Sequence, residues 1–370
     1  MSSAITTPQF GPSAGYVQQP RFQLLLNGVA AKYPLSATVT TNNYSEPSTF
    51  EATIILDPND PIGVTEDASV SVEITATLQG GNPTTLIYGL VDNVEVDAIV
   101  GTATFSGRDL AGRLVDTPTE DTFGNYTPSQ VVEKFVADHA ASGLQGDITA
   151  VKGSVGRFYG IDYAFTIFGQ LYRATNQWDM VLFLAQMVGF EARITGKTLY
   201  FGPPTAETSK PFIVAVNGLP ASAANVENLH LARSLTLAKD VQVTVLSWNS
   251  YLVRPIKRVV KSVNQKAPKG GFGPTQNYVF YKPDLTPDQA LQYGLAKLKD
   301  ITKRERVVSF ELPFELTLQN DSIVKLQGTG SDWDQVYYID QIEREISFAS
   351  GATQSVRVKN LSPANQEVVQ

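Results

Sequence analysis

Short stretches in which apolar and polar residues alternate with a period of two constrain the fold of this chain most strongly. Residues 50–54 (FEATI) and 70–74 (VSVEI) alternate in this way, so one face of each strand meets a core and the other meets water. Turn sequences rich in Pro, Asn and Gly at 57–61 and 79–83 separate such strands. Six or so strands at this spacing within residues 21–107 predict a barrel or sandwich rather than alternating strands and helices.

The periodicity changes at residue 108, where helical patterns replace the alternation. A Thr-Pro pair at 127–128, followed by Gln130, has the form of a capped helix start with proline in the first turn. A second apolar helix is expected from about 176 to 189, followed by a hairpin around 195–196. We therefore predict an α+β insertion over residues 108–205.

Strand patterns return after the insertion, so the fold class is mainly β with an α+β insertion. The two β halves look like two versions of one architecture, although the letters show no clean repeat. The predicted division, in chain order, is an extended arm (1–20), a first β unit (21–107), the α+β insertion (108–205), the start of a second β unit (206–250), a basic hairpin and helix (251–303), the completion of the second β unit (304–362) and a polar tail (363–370).

Charge is distributed unevenly along the chain. Residues 1–100 contain ten acidic and two basic side chains, whereas residues 241–283 contain seven basic side chains and no acidic one. This asymmetry fits a partner surface, and it fits equally well an acidic domain and a solvated basic hairpin. The net charge of −7 disfavours general DNA binding, which leaves contact with an acidic partner or with passing DNA. The candidate contact residues are Arg254, Lys257, Arg258, Lys261, Lys266 and Lys269.

Residue patterns that support catalysis or cofactor binding are missing from the sequence. It has no cysteine, and neither of its histidines, His139 and His230, lies in a metal-binding or catalytic motif. The Gly-rich segment 269–274 lacks the Gly-Lys-Ser/Thr ending of a phosphate-binding loop, and no Gly-x-Ser-x-Gly occurs. Two aspartates flank Trp333, which fits sugar binding but fits a solvated turn more simply. We predict no catalytic residue, no cofactor and no metal ligand.

No segment of the sequence favours membrane insertion. The most apolar stretch, residues 180–190, has about half of the ~20 residues that a membrane span needs. The N-terminus lacks the basic start and apolar run of a secretory signal. With the absence of cysteine, this fits assembly in a reducing cytoplasm.

Three segments together carry a resemblance to a known family. The first is GLVDNV at 89–94 followed by FSGRDL at 105–110, before a helical insertion. The second is the insertion itself, with its Thr-Pro-capped helix, Trp178, and the hairpin that leads into 199–201. The third runs from 318 to 358 and contains DSIV (321–324), Gly328, YIDQI (338–342) and TQSV (353–356).

In this order, over about residues 20–360, the segments resemble the hub proteins of tailed-phage baseplates. That family includes the late control protein D group and the hub half of type VI secretion spike proteins. One position departs from the pattern, because Asn320 stands where a Gly is expected before Asp321; asparagine also tolerates a left-handed turn. The family has no catalytic residues to carry over.

The resemblance implies two tube-like β-barrel domains per chain, formed by 21–107 and by 206–250 with 304–362. It also implies a homotrimer whose six barrels form a pseudo-six-fold ring that adapts a six-fold tail tube to a three-fold spike. Expected partners are copies of the chain, tail tube or tube-initiator proteins, the central spike and a tape measure protein, in a virion baseplate assembled in the host cytoplasm. DNA would only pass through, since acids such as Asp92, Glu95 and Asp97 facing the lumen would repel phosphate.

Two other functions fit the sequence less well. A distal-tail or receptor-binding protein that recognises carbohydrate predicts an exposed tryptophan, Trp248 or Trp333, in a groove. A tail-associated cell-wall hydrolase predicts a carboxylate pair in a pocket and turnover of peptidoglycan. Function is decided by such sites rather than by fold alone.

Overall fold

A computed structural model gives the fold of the chain. It describes residues 20–43, 46–57, 69–78, 81–119, 122–123, 126–151, 158–159, 175–204, 211–221, 223–234, 241–249, 254–262, 276–282, 285–360 and 366–369. The predicted arm therefore lies outside the described residues except for Pro20. No helix in these ranges is long and apolar enough to span a membrane.

The N-terminal half is a set of antiparallel strands, as its period-two alternation predicts. They are β1 (Pro20–Leu26), β2 (Val29–Ala30), β3 (Pro34–Asn42), β4 (Thr49–Ile55), β5 (Ser71–Leu78), β6 (Thr84–Asp97) and β7 (Thr102–Asp109). Their inward residues form one apolar core that includes Leu24, Val39, Ile74 and Phe105. Gly89 in β6 and Gly107 in β7 leave room for the Phe50 ring.

The inserted region combines helices with short strands around its own core. Its elements are α1 (Ala111–Asp116), β8 (Pro118–Thr119), β9 (Thr122–Phe123), α2 (Pro128–Asp138), a 3-10 turn (Ala140–Ser142), β10 (Gln145–Ile148), β11 (Phe158–Tyr159), β12 (Thr175–Asn176), α3 (Gln177–Val188), β13 (Glu191–Thr195) and β14 (Thr198–Gly202). Helix α2 begins with the predicted capping box at Thr127, and α3 ends at Gly189 in a left-handed conformation. The hairpin at Gly196 also forms as predicted.

The described residues of the C-terminal half form ten strands and one helix. In chain order they are β15 (Phe212–Ala215), β16 (Glu227–Arg233), β17 (Val241–Asn249), β18 (Arg254–Ser262), β19 (Gln276–Tyr281), α4 (Pro287–Thr302), β20 (Arg306–Pro313), β21 (Ile323–Gln327), β22 (Val336–Ser347), β23 (Gly351–Lys359) and β24 (Gln366–Val369). The β20–β23 region and β15–β16 share a second core with Phe310 and Ile342. A mainly β fold with α+β insertions is thus confirmed.

The two β halves belong to one continuous sheet of 13 strands, in the order β16-β20-β23-β22-β3-β4-β7-β6-β5-β1-β2, with β21 and β15 branching from β22. The seam is the antiparallel pairing of β3 with β22, from Asn42 opposite Gln341 to Ser36 opposite Ser347. Ile346 of β22 reaches into the N-terminal core. The two halves are therefore joined by backbone hydrogen bonds as well as by packing.

A separate four-stranded sheet, in the order β19-β17-β18-β24, packs on α4. The sequence places residues 241–249 at the start of the second β unit, but strand β17 pairs here with β18 and β19. Part of the predicted polar tail also differs, because residues 366–369 form β24 against β18. Alternation marks both segments as strands, but it does not choose their partners.

Candidate functional site

One face of the 13-stranded sheet is polar across β20, β23, β22, β3, β4, β7 and β6, and both cores lie on the other side. Directly paired residues of antiparallel strands point to the same face. Glu345 of β22 pairs with Thr38 of β3, and Thr38 pairs with Glu51 of β4. Glu51 in turn pairs with Ser106 of β7. The apolar residues that alternate with them, such as Ile346, are buried.

This surface, which we name the acidic face, crosses the seam between the two β halves without interruption. On the C-terminal side, Glu311 of β20 pairs with Ser355 of β23, which pairs with Glu343 of β22. Serine and threonine occupy most of the positions between the acids. The exposed carboxylates of the acidic face that form no ion pair among the described residues are Glu51, Glu95, Asp97, Glu311, Glu343 and Glu345.

Two arginines also lie on the acidic face, and both are beside carboxylates. Arg108 donates to Asp92 through Nε and Nη2, at 2.7 and 3.0 Å, and its two terminal nitrogens also bond Asp116. The hydrogen bonds that Arg108 donates to Asp92 and Asp116 raise the pKa of its guanidinium above its usual value. Arg357 lies 3.7 Å from Asp340. Among the described residues, no ion pair involves Glu51, Glu95, Glu343 or Glu345, so the face keeps a negative excess.

The three acids named by sequence analysis have different surroundings. Asp92 is engaged by Arg108, whereas Glu95 is exposed on the acidic face. The Asp97 carboxylate accepts hydrogen bonds from the backbone nitrogens of Ile99 and Val100, each at 2.9 Å, and so caps the turn between β6 and β7. Asp97 therefore has a structural role in addition to its place on the face.

Sequence analysis did not identify Glu51, Glu311, Glu343 and Glu345. Each is an outward residue of an alternating strand, so alternation alone predicted its exposure. What the sequence does not show is that β3 pairs with β22, about 300 residues away, and this pairing unites the acids of both halves on one surface.

The GLVDNV and FSGRDL motifs form the junction between the first β half and the insertion. A Cβ on Gly107 would lie 2.0 Å from the Leu90 carbonyl oxygen and 2.8 Å from the Phe50 ring, and Gly89 is similarly crowded. Asp109, buried, accepts hydrogen bonds from the backbone nitrogens of Ser48 and Ala111 at 3.0 and 2.9 Å. Burial raises the pKa of its carboxyl to about 6.

The YIDQI motif supplies Asp340, which binds cations near the seam. Lys359 Nζ lies 2.5 Å and Arg304 Nη2 3.0 Å from its Oδ1. Burial alone would raise the pKa of Asp340, but these two cations outweigh burial and lower it. Asn320, at the position that departs from the family's pattern, is not left-handed; its carbonyl accepts a hydrogen bond from Asn43 at 2.9 Å.

The basic candidates do not gather on one surface. Lys257 and Lys261 lie on the face of β18 that points away from α4, since the intervening residues Ile256 and Val260 pack with that helix. Arg254 and Arg258 alternate with these lysines and so belong to the opposite face. Lys266 and Lys269 lie outside the described residues.

The groups considered for catalysis have structural partners. His139 Nε2 is 2.8 Å from Gln177 Oε1, which ties α2 to the start of α3, while His230 is exposed on β16. The Asp334 carboxylate accepts hydrogen bonds from Thr329 and Gly330 and so orders its own loop. Trp333 is partly buried against the second core, with the Arg306 guanidinium 5.6 Å from its ring centre. Among the described residues, no cluster of three or more His, Asp or Glu is placed to hold a metal ion.

Comparison with known sequences finds no protein-family model that matches and no curated protein that matches. Solved structures, in contrast, share the fold over nearly the whole chain. A tail protein from Neisseria meningitidis MC58 superimposes with a TM-score of 0.68 at 15% identity, covering 92% of this chain and 97% of that one. The 43 kDa tail protein of prophage MuSo2 from Shewanella oneidensis gives 0.63 at 15% identity, covering 92% and 98%.

The same fold extends to a secretion system. A component of the type VI secretion system from E. coli, described as structurally similar to the T4 tail proteins gp27 and gp5, gives a TM-score of 0.52 at 10% identity, covering 92% of this chain and 77% of that one. The resemblance to tail hub proteins is therefore confirmed at the level of the fold.

Proposed function

We propose that this chain is a structural protein of a phage or phage-like tail and forms its baseplate hub. Three copies form a ring in which the two β halves of each act as tube-like barrels, adapting a six-fold tail tube to a three-fold spike. The observation that supports this proposal is the acidic face, which extends across strands of both β halves. Six similar units around a channel need similar surfaces on both halves, and the β3–β22 pairing joins the two halves into one such surface.

In this ring the acidic face lines the channel. Exposed carboxylates at the channel wall repel the phosphates of DNA, so DNA passes without binding. Hydroxyl side chains between the acids keep the wall polar without adding positive charge. Asp92, Glu95 and Asp97 belong to this wall, with Asp92 neutralised by Arg108.

The proposed partners follow from this position in a tail. They are two further copies of the chain, tail tube or tube-initiator proteins at one end, the central spike at the other, and a tape measure protein. The protein acts in the virion baseplate after assembly in the host cytoplasm, and its role is structural rather than enzymatic. The tail proteins that share its fold support this role.

The residues that the sequence offers to the two rival functions lie in an ordered loop or on a sheet surface. The carboxylate of Asp334 organises its loop, and Trp333 is packed rather than presented in a groove. Trp248 is 54% exposed on the face of the four-stranded sheet that points away from α4, opposite Pro255.

The solution mass of the purified chain, measured by light scattering and followed by negative-stain averages, tests the proposal. The expected result is three times the chain mass of 40.2 kDa and a ring with a central hole. The measurement is repeated with the cognate tube protein added, since a ring can need a partner to close. A chain that stays monomeric in both conditions would contradict the proposal, and clearing of peptidoglycan by the pure protein would contradict the structural role.

A further inference from the structure

Most of the large apolar side chains exposed by the described residues fall into two patches. The first, which we name the sheet-end patch, lies where the β6–β7 and β22–β23 turns meet the start of β3 and the end of β4. Backbone hydrogen bonds join its parts: Ile55 N to Tyr33 O at 2.9 Å, and Leu56 N to Gly101 O at 2.9 Å. Its members are Tyr33, Ile55, Val96, Ile99, Val100 and Phe348.

The β6–β7 turn dominates the sheet-end patch. Ile99 is 98% exposed and Val100 70% exposed, at the tip of a turn that Asp97 holds in shape. Glu95 lies beside it, where the acidic face meets this end of the sheet. The turn therefore presents an apolar tip with acidic flanks.

The second patch, which we name the basic sheet face, is the side of the four-stranded sheet that points away from α4. The register places Trp248 of β17 opposite Pro255, and Leu246 between Lys257 of β18 and Tyr281 of β19. Tyr281 is 70% exposed and Val279 47% exposed. Lys257 is exposed and Lys261 lies on the same face. This face is apolar and aromatic and carries Lys257 and Lys261, and the register places Glu367 of β24 opposite Lys261.

Burying exposed apolar side chains of this size is favourable, at roughly 25 cal/mol per Å², so both patches favour association. A closed ring with three-fold symmetry needs two different, complementary patches on every copy. This chain has one apolar patch with acidic flanks and one apolar patch with lysines, and the opposite charges favour pairing the two.

We propose that the basic sheet face of one copy binds the β6–β7 turn of the next copy, and that this contact closes the ring. The inference rests on the proposed hub function and identifies its subunit interface. Ile99 and Val100 pack on Trp248 and Tyr281, and Lys257 pairs with Glu95 at the edge of the contact.

Charge reversal and apolar disruption test the contact through the mass of the ring, measured by light scattering over a dilution series. Ile99→Asp is expected to weaken assembly at least tenfold, because a carboxylate would enter an apolar contact. Lys257→Glu and Glu95→Lys are each expected to weaken assembly, and their combination is expected to restore it. Val29→Asp, at an exposed valine outside both patches, is the matched control and should assemble like the wild type. Circular dichroism melting verifies that each variant is folded.

The outcomes separate this inference from the function on which it rests. Rings of wild-type mass formed by folded Ile99→Asp and Lys257→Glu would overturn the interface and leave the hub function in place. Single charge reversals that weaken assembly without rescue by the pair would overturn the pairing of these two patches. A wild-type chain that remains monomeric, with or without the tube protein, would overturn both.

Discussion

At the scale of single residues, the glycines of the GLVDNV and FSGRDL motifs are explained by close packing. Gly89 of β6 pairs with Asp109, Gly107 of β7 pairs with Val91, and the Phe50 ring lies against both glycines. The strand backbone leaves no room for a Cβ at either position. The motifs contain these glycines, but only the structure shows why. The Leu90 carbonyl leaves no room for a side chain at Gly107, the Arg108 carbonyl leaves none at Gly89, and Phe50 lies against both.

Gly107→Ala is therefore expected to destabilise the fold by about 3 kcal/mol, since the new methyl group would overlap the Leu90 carbonyl and the Phe50 ring. Gly196→Ala is the matched control. Its φ of +58° is costly for alanine, but nothing lies within 4 Å, so about 1 kcal/mol is expected. Urea denaturation measures both. Equal losses would show that packing at Gly107 is not the constraint.

Asp109 predicts a pH dependence of stability. Its folded pKa of about 6 is above the unfolded value of about 3.9. Between these values the folded chain holds a proton that the unfolded chain lacks, so this group's contribution to stability falls as the pH rises from about 4 to 6. The total change is about 3 kcal/mol, and it stays constant above pH 6.

The variant Asp109→Asn removes this titration while keeping one acceptor for Ser48 or Ala111. From pH 4 to pH 7, the wild type is expected to lose about 2 kcal/mol of unfolding free energy relative to the variant. Urea titrations of both proteins at the two pH values measure the difference. A difference that does not change with pH would mean that the Asp109 carboxyl is not the titrating group.

At the scale of elements, local signals predict helix starts well. Both Thr127 and Thr286 form the capping boxes that their sequences predict, each with proline in the first turn. Thr286→Ala is expected to cost about 1 kcal/mol, because the backbone nitrogen of Gln289 loses its acceptor. Thr286→Ser keeps the acceptor and should cost little. Thermal melting of the two variants measures their stabilities. Equal losses of stability would mean that the methyl group of Thr286, and not its hydroxyl, stabilises the helix start.

Pairing between distant strands is the part of the fold that the sequence does not predict. Alternation decides which residues of a strand face the core, but any strand with a matching pattern satisfies it. For that reason residues 241–249 were assigned to the second β unit, although they pair in the four-stranded sheet. For the same reason the sequence predicts only a group of acids at Asp92, Glu95 and Asp97, and not that the β3–β22 pairing adds Glu343 and Glu345 to the same surface.

At the scale of the whole molecule, the continuous sheet makes the two β halves act as one wall. Both cores lie on one side of the sheet, and the six exposed carboxylates of the acidic face that form no ion pair among the described residues lie on the other side. Part of the charge asymmetry seen in the sequence corresponds to surfaces, since Glu51, Glu95 and Asp97 lie on the acidic face and Lys257 and Lys261 lie on the separate four-stranded sheet. In the proposed ring the acidic face lines the channel, and the basic sheet face contacts the neighbouring copy.

The chain has no cysteine, so a single introduced thiol reports directly on the position of the acidic face. The decisive measurement is the labelling of assembled Glu345→Cys by a small maleimide and by a maleimide carried on a protein too large for the channel. Glu133→Cys, on the exposed side of α2, is the control that both reagents should label. If the acidic face lines the channel, Glu345→Cys reacts with the small reagent only. Equal labelling of Glu345→Cys by both reagents in an intact ring would contradict the account.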